Sequence, residues 1–169
     1  MQWAREGYLI RPAEAADAEA YYHALFDPLD PEVARMTGSP ELFQADVVIP
    51  FFLRCVPDET RHDFLILDPQ GQIIGESVIN ELDSTSNSAN YRIAIAGASN
   101  RNKGIGTWAV QTACAFAFNQ LHLSSLTLGV LECNLRARHV YEKCGFEPFG
   151  REDNELLMEL THQKWLTLR

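Results

Sequence analysis

The segment Arg101-Asn-Lys-Gly104-Ile-Gly106-Thr107 has the residue types of an anion cradle. Two glycines two apart let backbone amides converge on one concavity without side chains in the way. An apolar run follows at once and predicts a helix from Gly104 to about Leu121. Its start adds free N–H groups and the positive end of the helix dipole. Arg101 and Lys103 add formal charge, and the combination suits a diphosphate. The same R-x-x-G-x-G pattern also serves a plain turn with solvated charges beside it. The dinucleotide fingerprint is absent, because position 109 is alanine, and a Walker loop is absent, because Lys103 precedes the glycines.

About thirty residues on comes Val130-Leu-Glu-Cys-Asn134-Leu-Arg-Ala137, continuing to Tyr141 and ending in Gly145-Phe146. Asn134 follows a strand candidate and precedes a helix, which suits a side-chain cap. Tyr141 falls within that helix, where an aromatic packs into a core or presents its hydroxyl to a site. Gly145 suits the left-handed residue that ends a helix.

The elements that must position these groups are legible from periodicity. Tyr8 to Arg11 is a strand candidate closed by Pro12. Asp17 to Phe26 is helical, with Ala18, Tyr21, Tyr22 and Leu25 on one face. A short helical turn follows through Met36. Ser39-Pro40-Glu41 has the chemistry of a helix start, and that helix runs to Cys55 with a kink or break at Pro50. His62–Leu67 and Gln72–Ile79 flank Asp68-Pro-Gln-Gly71 and form an antiparallel hairpin. Asp83 to Asn90 reads as a polar loop, and residues 91–96 and 125–131 as strands. A helix over 135–144 and a final hairpin, 146–151 with 155–160, complete the chain. This order predicts a single α/β domain over 1–169, a mixed sheet of about seven mostly antiparallel strands with helices on its faces.

Composition narrows the function classes. Hydrophobic residues make up 46%, charged residues 22% and aromatics 10%, the profile of a globular chain. The net charge of −9 argues against nonspecific nucleic-acid binding and is compatible with a cationic substrate. No stretch is long and apolar enough for a membrane span, and the first residues show no secretory apolar core. Cys55, Cys114, Cys133 and Cys144 lack metal or redox spacing, and the five histidines lack metal-ligand spacing, so no metal and a reduced, cytoplasmic setting are expected.

The two segments together resemble the signatures of the GNAT superfamily of N-acetyltransferases. Leu9-Ile-Arg11-Pro12, Asp17-Ala-Glu-Ala and Leu157-Met-Glu-Leu160 are similar to the branch with ribosomal-protein N-terminal and spermidine acetyltransferases. The resemblance implies a GNAT-like fold whose fourth and fifth strands, here 91–96 and 125–131, splay around acetyl-CoA. It implies that backbone groups of Ile93, Ala94 and Ile95 bind the pantetheine and thioester. The pyrophosphate then falls to the amides of Arg101, Asn102, Lys103, Gly104, Ile105, Gly106 and Thr107. Asn134 contacts the pantetheine arm and Tyr141 protonates the departing thiolate. Strand 91–96 holds no carboxylate, so Glu76 and Glu81 on the preceding strand are the candidates for general base, with a water chain as the alternative. The acceptor is a primary amine, either a small molecule such as a polyamine or a protein N-terminus, and a homodimer is common in such proteins. The missing strand carboxylate keeps a second reading open, a non-catalytic acyl-CoA-binding module of the same fold. Residues 27–61 carry no motif that identifies the acceptor.

Overall fold

The structure, a computed structural model, describes residues 1–40 and 42–169. Glu41, part of the expected helix start at Ser39-Pro40-Glu41, lies outside the described residues. Among the described residues eight strands form one sheet, in the order β1-β2-β3-β4-β5-β6-β8-β7. They are β1 (Trp3–Arg5), β2 (Tyr8–Pro12), β3 (His62–Leu67), β4 (Ile73–Asp83), β5 (Ser88–Ile95), β6 (Ser125–Leu131), β7 (Glu147–Glu152) and β8 (Glu155–Thr161). Every neighbouring pair is antiparallel except β5 with β6. The helices are α1 (Ala18–Leu25), α2 (Pro31–Thr37), α3 (Ala45–Cys55), α4 (Ile105–Asn119), α5 (Leu135–Lys143) and α6 (His162–Thr167).

The sheet is covered on both faces. Tyr21, Tyr22 and Leu25 of α1 and Val48 and Phe52 of α3 bury Leu65 and Leu67 of β3. The opposite face, with Phe64, Ile66, Ile79 and Tyr91, packs on Val110, Ala113 and Ala117 of α4. The same core continues under α5 and α6 through Tyr141, Phe146, Leu160 and Trp165. Strand alternation thus sends successive side chains to two distinct cores.

Several boundaries differ from expectation. β1 raises the strand number from about seven to eight: Glu6 and Gly7, both at positive φ, turn it onto β2. Trp3 then packs edge-on against Phe64 and Phe116. The expected polar loop over 83–90 is shorter, because pairing of β4 with β5 begins at Asp83 with Ser88. α3 starts at Ala45 and continues through Pro50 as one assigned helix. α6, absent from the expectation, is capped by Thr161, whose side chain accepts from the Lys164 amide.

Candidate active site

The site begins where two strands part. β5 and β6 pair only at Ser88 with Ser125, Ala89 with Leu126 and Asn90 with Thr127. Beyond Asn90 no register joins them, although β5 continues to Ile95 and β6 to Leu131. The gap is one end of a cleft of about 840 Å³ lined by both strands, the 101–107 loop, and α2 and α5.

Backbone direction along β5 decides which groups reach the cleft. The Ala96 amide donates to the Ile74 carbonyl at 2.8 Å, so alternation turns Ala94 toward β4 as well. The carbonyl of Ala94 confirms this, lying 2.5 Å from where a Cβ on Gly75 of β4 would sit. Ile93 and Ile95 therefore present their N–H and C=O groups to the gap, as a strand edge awaiting a partner. Ala94 departs from expectation: its backbone groups belong to the β4 ladder, although the residue lines the cleft.

The 101–107 loop is built to leave amides free. Asn102 and Gly104 take positive φ, +61° and +75°, and Gly104 caps α4. The first amide bonded into the helix is Trp108, to Gly104 at 3.0 Å. Among the described residues the amides of Asn102, Lys103, Gly104, Ile105, Gly106 and Thr107 have no backbone or side-chain acceptor. An added Cβ on Gly104 would meet only a guanidinium nitrogen of Arg5, at 3.9 Å. The concavity is open and presents unbonded amides at a helix start, which fits a diphosphate.

Arg101 does not take part as expected. Its amide donates to Ala98 at 3.2 Å. Its guanidinium is held by Asp30 at 2.6 Å and Glu32 at 3.1 Å. Asp30 also accepts from the Gly97 amide at 2.8 Å and from the Glu32 amide at 2.9 Å. Burial pushes the Asp30 carboxyl up, but these donors outweigh it and hold it below the usual carboxylate range. Arg101 thus ties the loop to the start of α2. Lys103 is exposed and does not line the cleft; Lys143 of α5 does, and has no ion-pair partner among the described residues.

α5 brings two further groups. The Asn134 side-chain oxygen accepts from the Ala137 amide at 3.2 Å and caps the helix, while the residue also lines the cleft. Tyr141 is buried against Phe146 yet borders the same cleft. Its hydroxyl has no hydrogen-bond partner, and no fully enclosed side-chain N or O atom among the described residues lacks one. The hydroxyl therefore opens on the cleft. Burial, with a smaller effect of Cys144, pushes the phenol well above its usual value. The thiol of Cys144 is itself pushed up to about 11 by burial, which leaves it protonated and poorly nucleophilic. All four cysteines are free.

Glu76 lies elsewhere. It is 8% exposed and does not line the cleft. One oxygen accepts from the Tyr21 hydroxyl at 2.6 Å and the other from Arg92 of β5 at 2.7 Å. Glu76 touches the site only through Arg92, which does line it. Glu81 is exposed at the irregular end of β4, at φ +53°. Neither was brought to the cleft by the strand on which it was expected. Arg92 and Glu155 of β8, both lining residues, were missed: Arg92 could have been found from its position on β5, whereas nothing in the sequence links Glu155 to that strand.

Residues 8–147 match the family described as the acetyltransferase (GNAT) domain. The chain belongs to that family. It is 29% identical over 108 residues to spermidine N(1)-acetyltransferase of Vibrio cholerae serotype O1, an overlap covering 64% of this chain and 62% of that relative. The fold is that of a spermidine N-acetyltransferase from Vibrio cholerae solved in complex with CoA and spermine, with a TM-score of 0.81 at 21% identity over 96% and 99% of the two chains. A ribosomal-protein-S5-alanine acetyltransferase from Vibrio fischeri superposes with a TM-score of 0.85 at 15% identity over 98% of each chain. The mixed α/β architecture expected from the sequence is thus the GNAT fold, with eight strands in this chain. Among the described residues no helix is long and apolar enough to cross a membrane.

Proposed function

We propose that the protein is an acetyl-CoA-dependent N-acetyltransferase that transfers the acetyl group to a primary amine by direct attack in a ternary complex. The observation that carries this reading is the parting of β5 from β6 after Asn90, with free backbone groups on β5 and a partnerless tyrosine hydroxyl facing the gap. Acetyl-CoA supplies an acetyl thioester. The Ile93 and Ile95 backbone would bind the pantetheine amides as a neighbouring strand does and hydrogen-bond the thioester oxygen as it gains charge. Amides 102–107 would hold the diphosphate, and the amide nitrogen of Asn134 would reach the pantetheine arm. Tyr141 stays protonated over the whole working pH range, so it can donate to the departing thiolate.

The two faces of the sheet give the reactants separate approaches. Ile93, Ile95 and Tyr141 belong to the α4–α5 side, the donor side. Arg92 and Gly129 follow the paired residues Asn90 and Thr127 on the side of α1–α3, from which the amine would enter. Glu76, with both oxygens committed, is assigned to holding the Arg92 guanidinium rather than to taking the amine's proton. The acceptor class (polyamine, protein N-terminus or other small amine) and a homodimer are parts of the same proposal.

Release of free thiol from acetyl-CoA, measured with a panel of these amine classes, tests the reading. Amine-dependent release is expected. Cofactor binding without any amine-dependent release would favour the alternative, a non-catalytic acyl-CoA-binding module, for which the missing carboxylate on residues 91–96 is the supporting feature.

A further inference from the structure

Among the described residues two carboxylates line the cleft, Glu32 and Glu155. They differ in what already holds them. Glu32 sits between Arg101 at 3.1 Å and Arg136 at 3.3 Å and is neutralised from both sides. Asp30 and Glu76, just outside the lining, are likewise spent on Arg101 and Arg92. Glu155 has no ion-pair or hydrogen-bond partner for its side chain among the described residues. In a site otherwise rich in paired charge, it is the carboxylate left over.

Its location is specific. Glu155 opens β8 and pairs in register with Leu131, while Gly129 pairs with Leu157. Residues 129 and 131 share a face with 157 and 155, opposite to the face on which Leu128, Val130, Leu156 and Met158 enter the core. The side chain leans back over Gly129: its Oε2 lies 2.9 Å and its Cδ 3.2 Å from where a Cβ on residue 129 would sit. The carboxylate thus fills the space that a side chain on this strand would take, and a side chain at 129 would push it aside. Across the gap at the same level, two residues beyond the last paired position, stands Arg92. Glu155 therefore faces the gap between the strands from the side opposite Tyr141.

We propose that the Glu155 carboxylate receives the amine of the acceptor, hydrogen-bonding its ammonium at the mouth of the gap and orienting the nitrogen toward the thioester. The inference rests on the transferase reading above and deepens it by naming the group that recognises the acceptor. An unpaired, partly buried carboxylate is costly unless a cation completes it, and an ammonium supplies the charge and the donors it lacks. Gly129 acts with it as the residue that clears its position.

The test compares wild type with Glu155→Gln, Glu155→Asp and Gly129→Ala, using spermidine, a tripeptide with a free N-terminus and a simple alkyl monoamine as acceptors. For the amine that the wild type uses best, Glu155→Gln is expected to lower kcat/KM at least tenfold, mainly through KM. Acetyl-CoA affinity by calorimetry and thermal stability should stay close to wild type. Glu155→Asp should retain part of the activity, and Gly129→Ala, whose methyl would displace the carboxylate, should resemble Glu155→Gln. A Glu155→Gln enzyme within twofold of wild type in kcat/KM overturns the inference and leaves the transferase reading standing. Parallel losses of acetyl-CoA affinity and stability would also overturn it, since they mark a structural role. A wild type that releases no thiol with any amine removes the transferase reading and this inference together.

Discussion

Replacing Tyr141 by phenylalanine isolates the chemical step because the structure lets the rest of the site stay as it is. The ring packs against Phe146 and is almost fully buried, and phenylalanine keeps that volume. The hydroxyl has no protein partner to orphan, so no buried donor or acceptor is left unsatisfied by its removal. Thermal stability should therefore change little. The catalytic loss can be sized from the proton's two owners. A thiol has an ordinary pKa of about 8.5, whereas the Tyr141 phenol is raised above its usual value by burial. Full transfer from tyrosine to a free thiolate is uphill. In the proposed mechanism the hydroxyl would then act mainly by hydrogen-bonding sulfur as charge develops there. Such a bond to a charged group is worth about 1.5–3 kcal/mol, which corresponds to roughly 10–150-fold in rate.

The assay is steady-state thiol release for Tyr141→Phe and wild type, with acetyl-CoA affinity measured separately. A fall in kcat of about 10–150-fold with Kd nearly unchanged is expected. The sign of the pKa shift adds a second readout. A phenol whose pKa is raised keeps its proton as pH rises through 10, so Tyr141 should impose no descending limb on the wild-type kcat profile below that pH. Equal turnover in the two proteins would refute the assignment, and a wild-type limb near pH 9 that vanishes in Tyr141→Phe would refute the protonation argument.

Two further substitutions test the cradle and the frame around it. Gly104→Asp meets only Arg5 within 4 Å but takes a φ of +75° that strains a side chain, and it sets a negative charge beside the proposed diphosphate; at about 4–5 Å and an effective dielectric of about 20 each charge pair costs about 3–4 kcal/mol. Acetyl-CoA affinity by calorimetry should drop at least 100-fold, and normal affinity would show that the diphosphate lies elsewhere. Gly145→Ala forces a Cβ onto φ +102°, 2.3 Å from the movable Leu168 side chain and 3.3 Å from the buried Leu160. A loss of about 1–3 kcal/mol is expected, roughly 2–10 °C in Tm, and an unchanged melting curve would show that the turn relaxes without strain.

What could be read from the sequence follows the range of the interactions involved. The α1 face is local, and Ala18, Tyr21, Tyr22 and Leu25 are all buried as their spacing requires. The loop before α4 is equally local, since glycines, a helix start and the orphan amides all lie within a few residues. The polar stretch 83–90 misleads because the residues of β5 that begin the strand, Ser88 and Asn90, are polar and take their strand conformation from β4. β1 is three residues long, too short for any period to show. Arg101 misleads for a different reason. Its charge looked available beside the glycines, but its partner Asp30 is 71 residues away. The same holds for Glu76, whose carboxylate meets Tyr21 across 55 residues. Local pattern identifies groups that could act; only tertiary contacts show which of them are already spent.

This distinction explains why the donor half of the site was readable and the acceptor half was not. In the proposed reading the donor is held chiefly by backbone groups, whose availability depends on where a strand loses its neighbour and where a helix begins. Many side-chain sets permit that geometry, which is consistent with close superposition on chains of only 15–21% identity. The acceptor side, as proposed, depends on leftover charge among long-range ion pairs. Arg101 neutralises Asp30 and part of Glu32, Arg136 takes the remainder, and Arg92 takes Glu76. Changing Arg101 or Arg92 would free a carboxylate next to the cleft and give an ammonium a competing place to bind. On this reasoning the ion-pair network does more than brace the loop against α2: it occupies the rival anions among the described residues, so that of these Glu155 is the one left for an incoming amine.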